Sequence, residues 1–187
     1  MSSKEYFSDT DSFENTPCPL CGSESSSLLY EINSYKYNKC NNCELVYLNP
    51  RLKEESLLEY YAQDSFYAEY SSGTGYEIQE RALRSTFSRY MKELHKRNVT
   101  GGKLLEIGCG FGFLLDEAKN YFDYRIGTDF SSEAVSHAKK YADNVYCGGL
   151  EAIPSDTSTK FDCVISFSVL EHVYNPNTFI QEIQNYM

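Results

Sequence analysis

The chain has 187 residues, a formal net charge of −10 and a hydrophobic content of 41%, which suffices for one good core and a small additional module. No run of about 18 apolar residues is present to cross a bilayer, and the polar N-terminus has no apolar signal core, so we expect a cytoplasmic protein that is neither secreted nor membrane-bound. The negative net charge also argues against nucleic acid as a partner, because binding a phosphate backbone requires a basic surface.

The N-terminal part is predicted to be a disordered tail, residues 1–15, followed by a metal-binding module, residues 16–50. The module holds two pairs of cysteines, each spaced C-x2-C. Two intervening residues let one tight turn place both sulfurs on the same ion, and two such turns complete a tetrahedral site. We predict a zinc ribbon with a structural metal, since four thiolates leave no open coordination position; a redox pair is the alternative. The four ligands are Cys18, Cys21, Cys40 and Cys43.

Residues 51–100 are predicted to form a helical connector. A short helix covers residues 53–62, and a longer one covers residues 77–97, where apolar residues recur in steps of three and four. The intervening residues 64–76 are rich in tyrosine, phenylalanine and glycine without a clear period. A lid over a site and a satellite cluster at the edge of the core are both compatible with this composition.

The most informative stretch is residues 103–112, an apolar run that breaks into three alternating glycines. It predicts a buried strand that turns sharply into a helix, where backbone N–H groups can approach a ligand without obstruction by a Cβ. Two acids flank the turn: Glu106 precedes it, and Asp129 ends the next apolar run. A carboxylate at the tip of the second strand can accept both ribose hydroxyl hydrogens, so a nucleoside is the expected ligand. The glycines are Gly108, Gly110 and Gly112.

The spacing of the glycines favours one class of nucleoside. A dinucleotide fingerprint would place its third glycine at position 113, which is Phe113 here. A pyrophosphate would also be repelled by Glu106. The ammonium and sulfonium groups of S-adenosylmethionine tolerate a nearby carboxylate, so this cofactor is favoured. A nicotinamide or flavin nucleotide and a ligand-free glycine turn are the alternatives.

Residues 101–187 alternate strand and helix, which predicts an α/β fold with a parallel, Rossmann-like sheet and helices on both faces. Ser131 is expected to cap one helix, and Asn175 with Pro176 to begin the last one. The predicted strands cover residues 103–107, 124–129, 144–147 and 161–167. The predicted helices cover residues 113–121 and 132–141, and a final one begins at residue 176.

At residues 105–112 the chain resembles the first motif of the class I S-adenosylmethionine-dependent methyltransferases. The resemblance implies that the loop surrounds the methionine portion of the cofactor, that Asp129 binds the ribose, and that Phe130 lies against the adenine. It also implies that Leu150 and Glu151 bracket the adenine and that Ser166 lines the cofactor. His172 in the same segment is the candidate general base, because its unperturbed pKa lies near neutrality; orienting the cofactor loop and capping a helix are the alternative roles. The implied loop contacts are Glu106, Gly108, Cys109, Gly110 and Gly112.

A zinc ribbon followed by such a domain, over residues 16–187, resembles a bacterial subgroup of these enzymes that often modifies sugars. The resemblance implies methyl transfer to a small molecule such as a sugar or sugar nucleotide. The family sheet has seven strands and this sequence supplies the first four, so we expect a C-terminally truncated chain, or a homodimer or partner subunit paired at the edge of strand four. The alternative functions are a noncatalytic cofactor-binding or zinc-ribbon interaction module and a nucleotide oxidoreductase.

Overall fold

A computed structural model describes residues 12–61, 76–154 and 160–187. Most of the predicted tail and nearly all of the aromatic stretch, for which a lid and a satellite cluster are the alternatives, lie outside these residues. The chain divides into two units, which are described separately: the first contains residues 1–60 and 174–179, and the second contains residues 61–173 and 180–187. Within the described residues, no helix is both long enough and apolar enough to span a bilayer.

The first unit contains a three-stranded antiparallel sheet in the order β2-β3-β4 and a two-stranded ribbon that pairs β1 with β5. Asn33 and Ser34 join β2 to β3 with φ values of 49° and 69°, as the two central residues of a tight hairpin require. The elements are β1 Phe13–Glu14, β2 Ser26–Ile32, β3 Tyr35–Cys40, β4 Val46–Leu48, β5 Arg51–Leu52 and helix α1 Glu54–Tyr61, whose last residue is assigned to the second unit.

Arg51 ties residues 174–179 into the first unit. Its guanidinium lies 3.0 Å from Glu14 and donates a 3.0 Å hydrogen bond to the Tyr174 carbonyl. The same group lies over the Tyr174 ring, 4.1 Å from its centroid, a favourable position for a cation. The Tyr174 hydroxyl in turn donates to the carbonyl of Leu52. A segment distant in sequence thus becomes part of this unit.

The second unit is built on a parallel sheet in the order β8-β7-β6-β9. Ile107 at the end of β6 lies beside Thr128 of β7 and Ser166 of β9, so the carboxyl ends of three strands meet at one edge, where ligands of such sheets bind. The strands are β6 Lys103–Ile107, β7 Tyr124–Asp129, β8 Asn144–Cys147 and β9 Cys163–Ser166. The helices are α2 Tyr76–Lys96, α3 Phe113–Glu117, α4 Ser132–Ala138 and α5 Pro176–Gln184, which spans residues of both units.

The core of the second unit explains the continuous apolar run of β6. Leu104 and Leu105 are both fully buried although they point to opposite faces of the sheet, as expected when helices cover both faces. From α2, Phe87 and Met91 pack into the same core. The predicted cap of α4 is confirmed, since the Ser131 hydroxyl accepts a hydrogen bond from the amide of Ala134.

Three elements are shorter than the sequence predicts. Helix α3 ends at Glu117 and continues as a 3₁₀ turn, Ala118–Asn120, which is a common way to satisfy the last carbonyls of a helix. Helix α4 ends at Ala138, whose carbonyl accepts from the amide of Tyr141 in a similarly tight turn. Strand β9 begins only at Cys163, because the amide of Phe161 donates outside the ladder, to the carbonyl of Tyr186.

Candidate cofactor and metal sites

The glycine loop is held against the end of β7 by its own backbone. The amides of Gly108 and Cys109 donate to the Thr128 carbonyl at 2.8 and 2.9 Å. Gly108 has a φ of 72°, and a Cβ there would lie 2.4 Å from a methyl carbon of Val169. Gly112 has a φ of 80°, and its Cβ would lie 2.9 Å from the Cα of Ala138. These positions therefore need glycine for both conformation and space.

Asp129 is joined directly to the glycine loop. One carboxylate oxygen accepts from the amide of Gly110 at 2.8 Å, and the other accepts from the amide of Ser131 at 2.9 Å. Burial raises the pKa of Asp129, although these two hydrogen bonds act in the opposite direction. Each carboxylate oxygen can accept more than one hydrogen bond. The carboxylate is thus positioned by the loop and retains capacity for two ribose hydroxyls.

Glu106 is a buried acid at the same edge of the sheet. It is 3% exposed, and within the described part of the chain its Oε2 has no hydrogen-bond partner. Burial raises the pKa of Glu106 well above its usual range, and the charge of Asp129 adds to the effect. A buried, unpaired carboxyl oxygen is rare in proteins and calls for a partner. A cationic ligand would offset both the cost of burying the Glu106 carboxylate and its repulsion by the charge of Asp129.

Cys109 and Ser166 complete this edge of the sheet. The Cys109 thiol is buried, and burial followed by the charges of Glu106 and Asp129 raises its pKa. The Ser166 hydroxyl is buried at the end of β9 and, among the residues described, has no hydrogen-bond partner. The unpaired Glu106 Oε2 and Ser166 Oγ beside a glycine-rich loop fit a ligand with several polar groups, such as the methionine portion of S-adenosylmethionine.

The residues expected around adenine differ in what they expose. Phe130 follows Asp129 and is 41% exposed, so its ring is available to a ligand. Leu150 is buried in a short 3₁₀ turn, and its carbonyl accepts from the hydroxyl of Tyr186. Glu151 accepts a 2.7 Å hydrogen bond from the amide of Gly149 in its own loop. Phe130 is therefore the member of this group with a large exposed apolar surface.

His172 lies in a 3₁₀ turn, Leu170–His172, that follows β9. Its side chain is exposed, and its Nδ1 lies 2.7 Å from the hydroxyl of Tyr61. The two rings meet edge to face, with centroids 5.5 Å apart. Sequence reasoning missed Tyr61, because 111 residues separate the pair and no motif links them.

The four predicted metal ligands lie together in the first unit. Their sulfur atoms are all within 4.8 Å of one another. Cys18 is 3.5 Å from Cys43, and Cys21 is 3.6 Å from Cys40, measured between sulfurs. In a tetrahedral site with Zn–S bonds of about 2.3 Å, neighbouring sulfurs are about 3.8 Å apart. The cluster therefore has the dimensions and the donor atoms of a four-cysteine zinc site.

The two C-x2-C turns repeat one backbone pattern. In the first, the Gly22 amide donates to the Cys18 carbonyl, and in the second the Glu44 amide donates to the Cys40 carbonyl. Gly22 and Glu44 have φ values of 72° and 64°, so both turns use a left-handed residue directly after the second cysteine. The side-chain amide of Asn42 donates to the Cys21 sulfur, and this hydrogen bond is the main reason that the pKa of Cys21 is lowered. Burial and the neighbouring cysteines raise the pKa of Cys43, so Cys21 is the more readily deprotonated of the two.

Comparison with known sequences finds one matching family model and several relatives. Residues 105–187 match the family described as Methyltransferase domain. The mitochondrial ubiquinone biosynthesis O-methyltransferase of Schizosaccharomyces pombe is 37% identical over 107 residues, which cover 52% of this chain and 39% of that protein. The corresponding enzyme of Bradyrhizobium diazoefficiens is 33% identical over 111 residues, covering 56% and 42%. The chain thus spans about two-fifths of the length of these curated relatives.

Comparison with solved structures gives the same fold. The magnesium protoporphyrin IX methyltransferase of Synechocystis PCC 6803, solved with bound S-adenosylmethionine, superposes with a TM-score of 0.55 at 19% identity. The match covers 74% of each chain. Residues 105–187 thus match a methyltransferase family model, and the superposition shows that the chain shares the α/β fold of this structure.

Proposed function

We propose that this chain binds S-adenosylmethionine at the carboxyl ends of β6, β7 and β9 and takes part in methyl transfer to a small molecule. The observation that carries the proposal is the 2.8 Å hydrogen bond that the amide of Gly110 donates to the carboxylate of Asp129. It joins the ribose-binding carboxylate to the loop that would carry the methionine portion. Both parts of the site are thereby set in one geometry before the cofactor arrives, which lowers the cost of binding.

Each residue of the site has a distinct task in this proposal. Asp129 accepts the ribose hydroxyls, and Glu106 provides negative charge near the cationic methionine portion. The glycine loop brings its backbone close to the ligand through Gly108, Cys109, Gly110 and Gly112. On the adenine side, Phe130 offers its exposed ring, and Leu150 and Glu151 form the neighbouring turn. Ser166 offers a buried hydroxyl from β9.

The cofactor supplies an activated methyl group on a positively charged sulfur. In the transfer, the lone pair of the acceptor forms a bond to the methyl carbon while the carbon–sulfur bond breaks and leaves its electron pair on sulfur. The acceptor then loses a proton, for which we propose His172 as the receiving base. The remaining task of the chain is to align donor and acceptor and to exclude water.

The finer assignments are also proposals. We propose a sugar or sugar nucleotide as the acceptor, because a four-cysteine ribbon precedes the methyltransferase domain; the names of the ubiquinone enzymes describe those proteins, of which this chain matches only part. We propose that zinc is structural and that the seven free cysteines suit a reducing compartment such as the cytoplasm. Among the described strands, β9 has a neighbour on one side only, which supports pairing of its free edge with further strands or a second copy.

Calorimetric titration with S-adenosylmethionine, S-adenosylhomocysteine and NAD tests the cofactor class. We expect binding of the first two and none of NAD. Asp129→Asn should weaken binding at least about tenfold, because it removes a charged hydrogen-bond acceptor. Asp143→Asn is the matched control, since the Asp143 carboxylate also accepts a 2.8 Å hydrogen bond from a backbone amide, that of Arg125, but beside the amino end of β7. NAD binding, or equal loss in both variants, would refute the proposal.

Methyl transfer itself is tested with methyl-labelled S-adenosylmethionine and two acceptor panels, one of sugar nucleotides and one of intermediates of ubiquinone biosynthesis, the pathway for which the relatives are named. Label transfer to a sugar nucleotide supports the full proposal, and transfer to a ubiquinone intermediate corrects the acceptor. Cofactor binding without transfer to either panel would favour the noncatalytic binding module.

A further inference from the structure

Tyr61 and His172 form a hydrogen-bonded pair within the second unit. Tyr61 is the last residue of α1, and its hydroxyl lies 2.7 Å from the Nδ1 of His172. The planes of the two rings are inclined by 83°, so the imidazole is held both by a hydrogen bond and by an aromatic contact. These two contacts define the orientation of a ring that is otherwise exposed.

The backbone of His172 is fixed by a hydrogen bond, but that bond does not restrict rotation of the side chain. The amide of His172 donates to the Val169 carbonyl at 2.8 Å and closes the turn after β9. No described residue of this turn is buried, so packing within the turn does not select one side-chain rotamer. The contact with Tyr61 supplies the missing restraint.

The direction of this hydrogen bond decides which nitrogen of His172 can act as a base. A neutral imidazole carries its proton on one nitrogen, and only the other can accept one. For Nε2 to receive a proton from an acceptor, Nδ1 must already carry the resting proton. The phenol oxygen of Tyr61 lies at the correct distance to accept that proton. After transfer both nitrogens carry protons, and the same Nδ1–H···O bond remains without rearrangement.

We propose that Tyr61 is a positioning residue for His172: it accepts a hydrogen bond from Nδ1–H and thereby leaves Nε2 as the proton-accepting nitrogen. The inference rests on the proposed function, in which His172 is the base. It adds a residue that neither the glycine motif nor the segment after β9 indicates.

Nitrogen-15 NMR of the full chain tests the inference without an acceptor. Spectra are recorded at about pH 8.5, two units above the unperturbed histidine pKa, and His172→Asn identifies the signal among the three histidines of the chain. We expect the Nδ1-protonated form in the wild type. Tyr61→Phe should shift the ring towards the Nε2-protonated form, which free histidine side chains favour. An Nε2-protonated ring in the wild type would overturn the inference.

Tyr124→Phe is the matched control, because it also removes a phenol hydroxyl with a 2.8 Å partner, Asn144, but at the start of β7. It should leave the His172 signals unchanged. With an acceptor that is turned over, Tyr61→Phe should lower kcat at least about tenfold and leave the affinity for S-adenosylhomocysteine within about twofold. An unchanged kcat would overturn the inference. Failure of the wild-type chain to bind the cofactor would instead overturn the proposed function.

Discussion

Arg84 and Asp116 form a short ion pair that ties α2 to α3. The guanidinium of Arg84 lies 2.7 Å from a carboxylate oxygen of Asp116, and both side chains are mostly buried, with 22% and 19% exposure. The same guanidinium lies over the ring of Phe113, 4.8 Å from its centroid. Because Phe113 directly follows the glycine loop, this cluster supports the helix on which the loop ends.

Replacing Arg84 should destabilise the second unit. We expect Arg84→Met to lower the free energy of unfolding by about 1–3 kcal/mol, because the mostly buried Asp116 would keep its charge with the more exposed Lys119, 3.0 Å away, as its remaining ion-pair partner. Urea unfolding measures the change. Arg97→Met is the control, since Arg97 forms an ion pair with Glu93 of α2, but the side chain of Arg97 is 70% exposed. That variant should change the stability by less than about 0.5 kcal/mol, and equal effects would contradict the prediction.

Glu106 should make the stability of the cofactor-free chain depend on pH. Because burial raises its pKa, the folded chain holds this proton more tightly than the unfolded chain. The resulting stabilisation is present below the unfolded pKa and is lost as the pH rises through the folded value. Glu106→Gln should therefore flatten the fall in stability above about pH 4. Urea unfolding over a pH series tests this, with exposed Glu182→Gln as the control that should leave the profile unchanged.

Glu106→Gln should affect the binding of S-adenosylmethionine and of S-adenosylhomocysteine to different extents. S-adenosylmethionine carries a sulfonium charge that S-adenosylhomocysteine lacks, and an anion in a buried site attracts that charge strongly. Glu106→Gln should weaken binding of the methylated form at least about tenfold more than binding of the product. Calorimetry with both ligands measures the ratio. An equal loss for both would show that Glu106 does not respond to the sulfonium charge.

Gly112 should not tolerate a side chain. Alanine at this position would require a left-handed backbone, which costs about 1–2 kcal/mol, and its Cβ would lie 2.9 Å from the Cα of Ala138. We expect Gly112→Ala to destabilise the chain by about 2–5 kcal/mol in total. Gly101→Ala isolates the backbone cost, because Gly101 also has a positive φ, 101°, but no atom within 4 Å of its Cβ position. A cost no larger than that of Gly101→Ala would disprove the close approach.

Removal of zinc should unfold the ribbon. Structural zinc sites contribute about 10–16 kcal/mol of binding free energy, and small zinc modules lose their structure without the metal. We expect one zinc per chain, lost in Cys40→Ser and retained in Cys147→Ser, whose thiol lies outside the cluster and is exposed. Metal analysis and amide NMR of residues 16–50 before and after chelation measure this. A ribbon spectrum unchanged by chelation would contradict a structural role.

The features that the sequence predicted correctly are those carried by short-range patterns. The alternation of apolar runs predicted four parallel strands because a buried strand and an amphipathic helix have different periods. The C-x2-C spacing predicted that two pairs of cysteines would meet, and their sulfurs lie within 4.8 Å. The cap at Ser131 likewise depends on residues three positions apart. The predicted ends of helices and strands were less accurate, because they also depend on hydrogen bonds between distant segments, such as that from the Phe161 amide to the Tyr186 carbonyl.

By itself, the sequence determined the class of the fold, the glycine loop with its two acids, and the four thiolates, because each depends on residue types at fixed local spacing. Only the tertiary structure decided which side chains from distant segments meet. It placed Tyr61 on His172, Arg84 on Asp116 and Val169 over Gly108. Such contacts follow from how helices and loops pack on the sheet, and no local pattern along the chain encodes them.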